Sequence, residues 1–177
     1  YYLSKNRSKS LQNIYLGHDI GYLKFQDIKK IFSSIKFRVT NNYTHDQIAK
    51  LLKAGEIIAV ARDREEFGAR ALGNRSIIAN PSIENIVQKI NETIKNRDFW
   101  MPFALTILKE DHNNFIKNPN KIRSDFMTIG FDTIEKNLKR IKSATHPYDK
   151  SVRPQILEKN FNKNYYSIIQ KFKKITK

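Results

Sequence analysis

The sequence predicts an α/β or α+β domain built on a sheet, and three observations carry that prediction. Strand-like apolar runs such as Glu56-Ile57-Ile58-Ala59-Val60-Ala61 lie directly beside segments of helical periodicity. The helical segments carry their own start and stop signals. No internal repeat is visible, and the mixing of the two kinds of element fits a sheet with helices packed on it.

Residues 1–20 read as a polar, linker-like segment ending in the short apolar stretch Asn13-Ile14-Tyr15-Leu16-Gly17, and one domain is expected over 21–177. Phe25, Ile28 and Phe32 recur at helical spacing and predict a short helix over 24–34. A second helix is better marked. Thr44 with Gln47 makes a capping box, Ile48, Leu51 and Leu52 form one face, and Gly55 stands where a left-handed cap belongs. The strand 56–61 follows, then a second at 76–79 closed by Asn80-Pro81. Ser82 is expected to cap a third helix with a core stripe of Ile83, Ile86, Val87, Ile90 and Ile94. Further strands are expected at 103–108 and 126–129, separated by an Asn-rich insertion. Tyr165, Ile168, Ile169 and Phe172 mark a last amphipathic helix.

The net charge of +16 makes a polyanion the first partner to consider. The lysines are scattered among Asn and Ile residues rather than gathered in one stripe, so nucleic acid is the weaker expectation. The absence of cysteine excludes disulfides, thiolate catalysis and cysteine-ligated metal centres. No apolar run approaches the ~20 residues of a membrane span. The opening Tyr1-Tyr2-Leu3-Ser4-Lys5 shows no signal-peptide core, and a cytoplasmic location is expected.

The most telling stretch is Glu66-Phe67-Gly68-Ala69-Arg70-Ala71-Leu72-Gly73-Asn74-Arg75-Ser76-Ile77-Ile78. It sets two guanidiniums, two glycines and a hydroxyl just after a strand. Glycine lets backbone N–H groups approach an anion, and arginine offers a planar charged fork that matches phosphate oxygens. A phosphate cradle and a salt-bridged surface turn both fit these residues.

Together with Asn91 and Lys95-Asn96-Arg97-Asp98, this stretch resembles the C-terminal domain of the O-carbamoyltransferases, which include nodulation-factor and antibiotic-tailoring enzymes. Their pattern runs E-F-G-P-R-A-L-G-N-R-S-I-L, then K-x-R-E, then R-P-F-A-P, then H-x-D-G-T-x-R-x-Q. Here the third block is Met101-Pro102-Phe103-Ala104-Leu105. The fourth is His146, Asp149-Lys150-Ser151-Val152-Arg153 and Gln155.

The resemblance implies a YrdC-like fold, a twisted mixed sheet with flanking helices and a basic concave face. It implies that carbamoyl phosphate and ATP, with Mg as co-substrate ion, yield carbamoyl adenylate. An N-terminal Kae1-like domain, in cis or in trans, would pass the carbamoyl group to a substrate hydroxyl. The family's iron or other metal would sit in that domain, so none is expected in this chain. The family's closing V-P-x-x-x-N-T-S-F-N segment is not present, and the domain is expected to be incomplete at its C-terminus.

By matched position, Arg70 and Lys95 would be catalytic and bind the phosphates of ATP and carbamoyl phosphate, with Arg75, Ser76 and Arg153 in the same set. Glu66, Gly68, Gly73, Asn74 and His146 would support them. Other roles compete. Arg70 and Lys95 could be structurally paired, Arg75 could anchor its strand, and Glu66 is read as orienting an arginine. His146 is read as a local hydrogen-bonding residue, and Phe99 and Trp100 as core packing rather than adenine stacking. The chain departs from the family pattern at Ala69 for proline, Asp63 and Lys150 for glycine, and Met101 for arginine, and it inserts one residue between His146 and Asp149. The alternative function is an inactive nucleotide- or RNA-binding module of the same fold.

Overall fold

The computed structural model describes residues 13–21, 25–40 and 42–176. In chain order it contains α1 (Phe25–Ile31), α2 (His45–Ala54), β1 (Ile58–Ala61), β2 (Arg75–Ile78), α3 (Ile86–Ile90) and a π-helical turn over Asn91–Lys95. There follow β3 (Thr106–Leu108), α4 (Leu138–Ile141), β4 (Gln155–Leu157) and α5 (Lys163–Ile175). No helix among the described residues is long and apolar enough to cross a membrane.

The fold is of the expected α/β class, with its strands in two small sheets. β1 and β2 pair antiparallel, Ile58 opposite Ile78. β3 and β4 pair parallel, Ile107 opposite Ile156. A parallel pair needs a long crossover, and residues 109–154 supply it. Residues on β4 alternate between two cores. Ile156 packs with Leu105, Ile107, Ile116, Phe131 and Val152. Leu157 faces Leu52, Ile78, Tyr165 and Ile168, joining α2 and α5. Leu157 and Ile168 are fully buried, each contributing about 1.5–3 kcal/mol by leaving water.

α2 is built as its sequence signals require. The Thr44 hydroxyl accepts from the Gln47 N–H, and the Gln47 side chain accepts from the Thr44 N–H at 2.8 Å. Gly55, at φ 95°, closes the helix on the carbonyls of Leu51 and Leu52. α5 opens on Asn162, whose side chain accepts from the Tyr165 N–H at 3.0 Å.

Three local expectations are corrected. Residues 126–129 form bends, because Met127 stands at φ 57°, outside the range of a strand. Helix α3 begins at Ile86 rather than after Ser82. The left-handed Asn85, at φ 61°, ends the preceding turn, in which Ser82 donates to the Asn80 side chain. The helix then widens into the π turn, which rotates Ile94 off the core stripe and leaves it 48% exposed, while Ile86 and Ile90 stay buried. Strand β4 carries only three residues of signal after Pro154, and the sequence reading passed it over.

Candidate anion site

The stretch after β1 folds into a loop organised around one carboxylate. Glu66 Oε1 accepts from the backbone N–H groups of Leu72 at 2.6 Å and Asn74 at 2.8 Å, and Oε2 accepts from that of Arg75 at 3.2 Å. These charge-assisted bonds are what a tight loop needs for converging N–H donors that have no strand partner. Glu66 therefore orients backbone, which corrects the expectation that it orients an arginine side chain.

Gly73 sits at the crowded point of the loop. Its φ is 115°, and a Cβ there would fall 2.5 Å from Tyr165 Cδ1. Gly68 is also at positive φ, 141°, where a Cβ would meet Ile14 Cδ1 at an ordinary 3.9 Å. The Ser76 hydroxyl accepts from the Gly73 N–H at 2.8 Å, so it closes the turn. The Asn74 side chain, buried, donates to Arg64 O at 2.7 Å and accepts from Asn162 Nδ2 at 2.9 Å.

Arg75 takes the anchoring role that the sequence left open. Its Nη1 donates to Arg62 O at 2.5 Å and Asn74 O at 3.2 Å, and its Nη2 to Asp63 O at 3.0 Å and His18 O at 3.2 Å. Both terminal nitrogens are thus occupied by carbonyls. Arg64 does the same for the preceding segment, donating to Leu16 O at 2.7 Å and Gly17 O at 3.0 Å. Residues 13–20 lie against the loop through these bonds, and Phe67 N–H donates to Ile14 O at 2.7 Å.

Arg70 differs from its neighbours. It is exposed, and among the described residues it makes no hydrogen bond or ion pair; the same holds for Lys95 and Arg153. Gln155 Nε2 donates to Leu72 O at 3.3 Å, which sets the segment carrying Arg153 against the loop carrying Arg70. Lys95 stands on a separate unit, the π turn. There the fully buried Asn91 donates to Asp98 O, Phe99 O and Met101 O at 3.0–3.1 Å and accepts from Arg97 Nε at 2.7 Å. Arg97 also covers the Phe103 ring at 4.6 Å. No hydrogen bond or ion pair among the described residues joins this unit to the Arg70 loop.

A polar network beneath the loop was not read from the sequence. Tyr15 OH donates to Leu72 O at 2.9 Å and accepts from Asn162. Tyr165 OH bonds Thr106 Oγ1, which in turn bonds the Gln155 side chain. Burial pushes the Tyr15 phenol up to about 12 and raises that of Tyr165. Arg62 donates from Nη2 to Gly73 O at 3.4 Å, its Nε is buried without a partner among the described residues, and burial lowers its pKa from the ordinary guanidinium value. The only sequence signal for this network is the apolar placement of two tyrosines.

His146 opens the turn over 147–149. Its N–H donates to Ser151 O at 2.8 Å, and its Nδ1 lies 3.3 Å from Asp149. The Asp149 carboxyl is held below its usual range by the Ser151 hydrogen bonds first and by His146 after them. Phe99 and Trp100 are 62% and 50% exposed, which corrects their reading as core. Their turn is pinned through backbone carbonyls, so their rings are free to face outward. Among the described residues no three His, Asp or Glu side chains converge as metal ligands would.

The loop around Glu66 leaves Arg70 exposed, and the α/β scaffold carries Lys95 and Arg153 exposed as well. The chain matches the family described as Carbamoyltransferase C-terminus over residues 49–177, and it belongs to that family. It is 32% identical over 169 residues to the nodulation protein NolNO of Sinorhizobium fredii, covering 94% of this chain and 25% of that protein. It is 28% identical over 133 residues to the 3'-hydroxymethylcephem-O-carbamoyltransferase of Amycolatopsis lactamdurans, covering 72% of this chain and 24% of that enzyme. An uncharacterized protein of Methanocaldococcus jannaschii is 34% identical over 184 residues, covering 94% of this chain and 30% of that protein. The chain thus spans less than a third of the length of these curated relatives.

Proposed function

We propose that this chain is the carbamoyl-activating part of an O-carbamoyltransferase. The observation that carries the reading is Arg70. Among the described residues its guanidinium has no partner, and it is held out from a loop in which Arg64 and Arg75 are bonded to carbonyls. Arg153, on the segment tied to the same loop, and Lys95, on the π turn, are two further exposed cations that can meet polyanionic substrates.

In this reading water cleaves carbamoyl phosphate into carbamate and inorganic phosphate. A carbamate oxygen then attacks the α-phosphorus of ATP. The bond from that phosphorus to its bridging oxygen breaks, and pyrophosphate leaves with the electron pair, giving carbamoyl adenylate; Mg, were it bound with the ATP, would offset charge on the leaving phosphates. Fixed cations stabilise the charge gathered at the α-phosphate. A substrate hydroxyl displaces AMP from the carbamoyl carbon on a Kae1-like domain supplied in cis or in trans, where the family's metal also resides.

Exchange of labelled pyrophosphate into ATP tests the activating step directly. Label should enter ATP only when carbamoyl phosphate is present, and Arg70→Glu should abolish the exchange. Absence of exchange, together with salt-sensitive binding of RNA, would overturn the enzyme reading in favour of a binding module.

A further inference from the structure

We propose that residues 25–40 form a docking surface whose occupant is the region that precedes the matched C-terminal part in the longer relatives, met in cis or in trans through an apolar face with an acidic edge. The proposal rests on the reading that a separate domain serves this chain. α1 runs into a turn over 32–35 and an irregular arm over 36–40. Few bonds hold this unit together. Phe32 N–H donates to Ile28 O and Ile35 N–H to Phe32 O, each at 3.0 Å, and the Phe32 and Phe37 rings meet edge to face at 6.3 Å. Among the described residues no hydrogen bond or ion pair ties 25–40 to the rest of the chain, and none of its side chains joins either hydrophobic core. A helix of 7 residues lies well under the ~12–15 that an isolated helix needs in water, so packing from elsewhere has to supply its stability.

The chemistry of the surface selects the partner's face. Ile31, Phe32, Ile35, Phe37 and Val39 are all exposed, between 40% and 65%. Phe32, Ile35, Phe37 and Val39 line a hollow of about 650 Å³, with Lys29 and Lys36 beside them. An apolar centre inside a charged rim is the anatomy of an interface. The rim is basic: Lys29, Lys30, Lys36 and Arg38 face only one acid, Asp27, in the same segment, and none is ion-paired among the described residues. A second copy would set this rim against itself, whereas an acid-edged face complements it. Position selects the partner. The family match begins at residue 49, after the segment, whereas the match to the Methanocaldococcus jannaschii protein covers 94% of this chain and so runs through it. That match takes up only 30% of the relative. A surface that joins no core here, standing where such proteins continue into the larger part of their chain, is placed to be covered by that part.

The test compares amide hydrogen exchange in the chain alone and in one polypeptide that carries, ahead of Tyr1, the region preceding the match in the Methanocaldococcus jannaschii protein. The Phe32 and Ile35 amides should exchange nearly as an open chain does in the first, and at least about tenfold more slowly in the second. Phe32→Glu with Phe37→Glu should remove that protection and leave the amides of α2 and α5 as protected as before. Equal protection in the chain alone, or none in the joined polypeptide, would overturn the proposal. A dimer of the chain by sedimentation, or its binding to phosphatidylserine vesicles, abolished by the same double variant, would overturn it by naming another occupant. Pyrophosphate exchange in a joined polypeptide whose segment stays unprotected would sink this surface alone and leave the activating function standing. Protection without any pyrophosphate exchange would uphold the surface and count against that function.

Discussion

Replacing Glu66 tests whether one carboxylate organises the loop. Three backbone N–H groups converge on it, from Leu72 at 2.6 Å, Asn74 at 2.8 Å and Arg75 at 3.2 Å. A hydrogen bond to a charged group is worth about 1.5–3 kcal/mol in mutational series. The three are not additive, because water reaches part of the site once the side chain is gone. Glu66→Ala should therefore cost roughly 3–4 kcal/mol of unfolding free energy. Glu66→Gln keeps one acceptor oxygen but turns an amide N–H toward the Arg75 N–H, and should cost about 2 kcal/mol. Urea unfolding followed by circular dichroism measures both. Native-state hydrogen exchange supplies the local check: the amides of Leu72, Asn74 and Arg75 should lose protection, while those of α2 change only by the global loss. If Glu66→Gln were as stable as the parent and the three amides still exchanged slowly, the carboxylate would not be the organiser.

Four further outcomes are expected. Gly73→Ala forces a Cβ to within 2.5 Å of Tyr165 at φ 115°, and should cost about 2–4 kcal/mol in urea unfolding; a cost under ~1 kcal/mol would mean the loop does not rest on that ring. Asp63→Gly and Lys150→Gly relieve left-handed residues at φ 47° and 60°, and each should gain about 0.5–1 kcal/mol after the freer unfolded chain is offset; unchanged or lower melting temperatures would count against this. Because burial raises the Tyr15 phenol from 10.0 to about 12, the fold prefers its protonated form, so that share of stability is whole below pH 10 and is lost as pH climbs toward 12. Tyr15→Phe should be about 1 kcal/mol less stable at pH 7, yet lose stability less steeply between pH 10 and 12; parallel pH curves would refute the assignment. Met101→Arg restores the arginine of the family pattern at a half-buried position, and should tighten carbamoyl phosphate or ATP up to about tenfold by dialysis; no gain would show the phosphate site does not reach Met101.

What was legible in the sequence follows from how far each signal reaches. The limits of α2 are written within a dozen residues, by Thr44, Gln47 and Gly55 acting on their own neighbours, and the structure keeps them. The two glycine positions of the family pattern occupied by Asp63 and Lys150 are left-handed here, so the pattern had encoded backbone shape even where the residue changed. Strand β4 depends on parallel pairing with β3 across 49 residues, a partner that three apolar-leaning positions cannot name. The bend of the third helix depends on what Asn91 reaches beyond its own helix, and periodicity carries no record of that.

The site itself divides along the same line. Arg64, Arg70, Arg75 and Arg97 are one residue type within a short span, and nothing in their spacing tells a strut from a hand. Their partners do. Arg64 and Arg75 end on backbone carbonyls, which every sequence supplies and no sequence advertises, and Arg97 ends on Asn91 and an aromatic face. Arg75, half-buried with both terminal nitrogens on carbonyls, could meet a phosphate only by giving up one of them, at a cost close to what the phosphate would return. Among the described residues Arg70 has no such bond to surrender. The struts fix the loop and Glu66 and Gly73 set its shape, while Arg70, exposed and without a hydrogen bond or ion pair among the described residues, is left to meet an anion, which is why the proposed function is placed on it first.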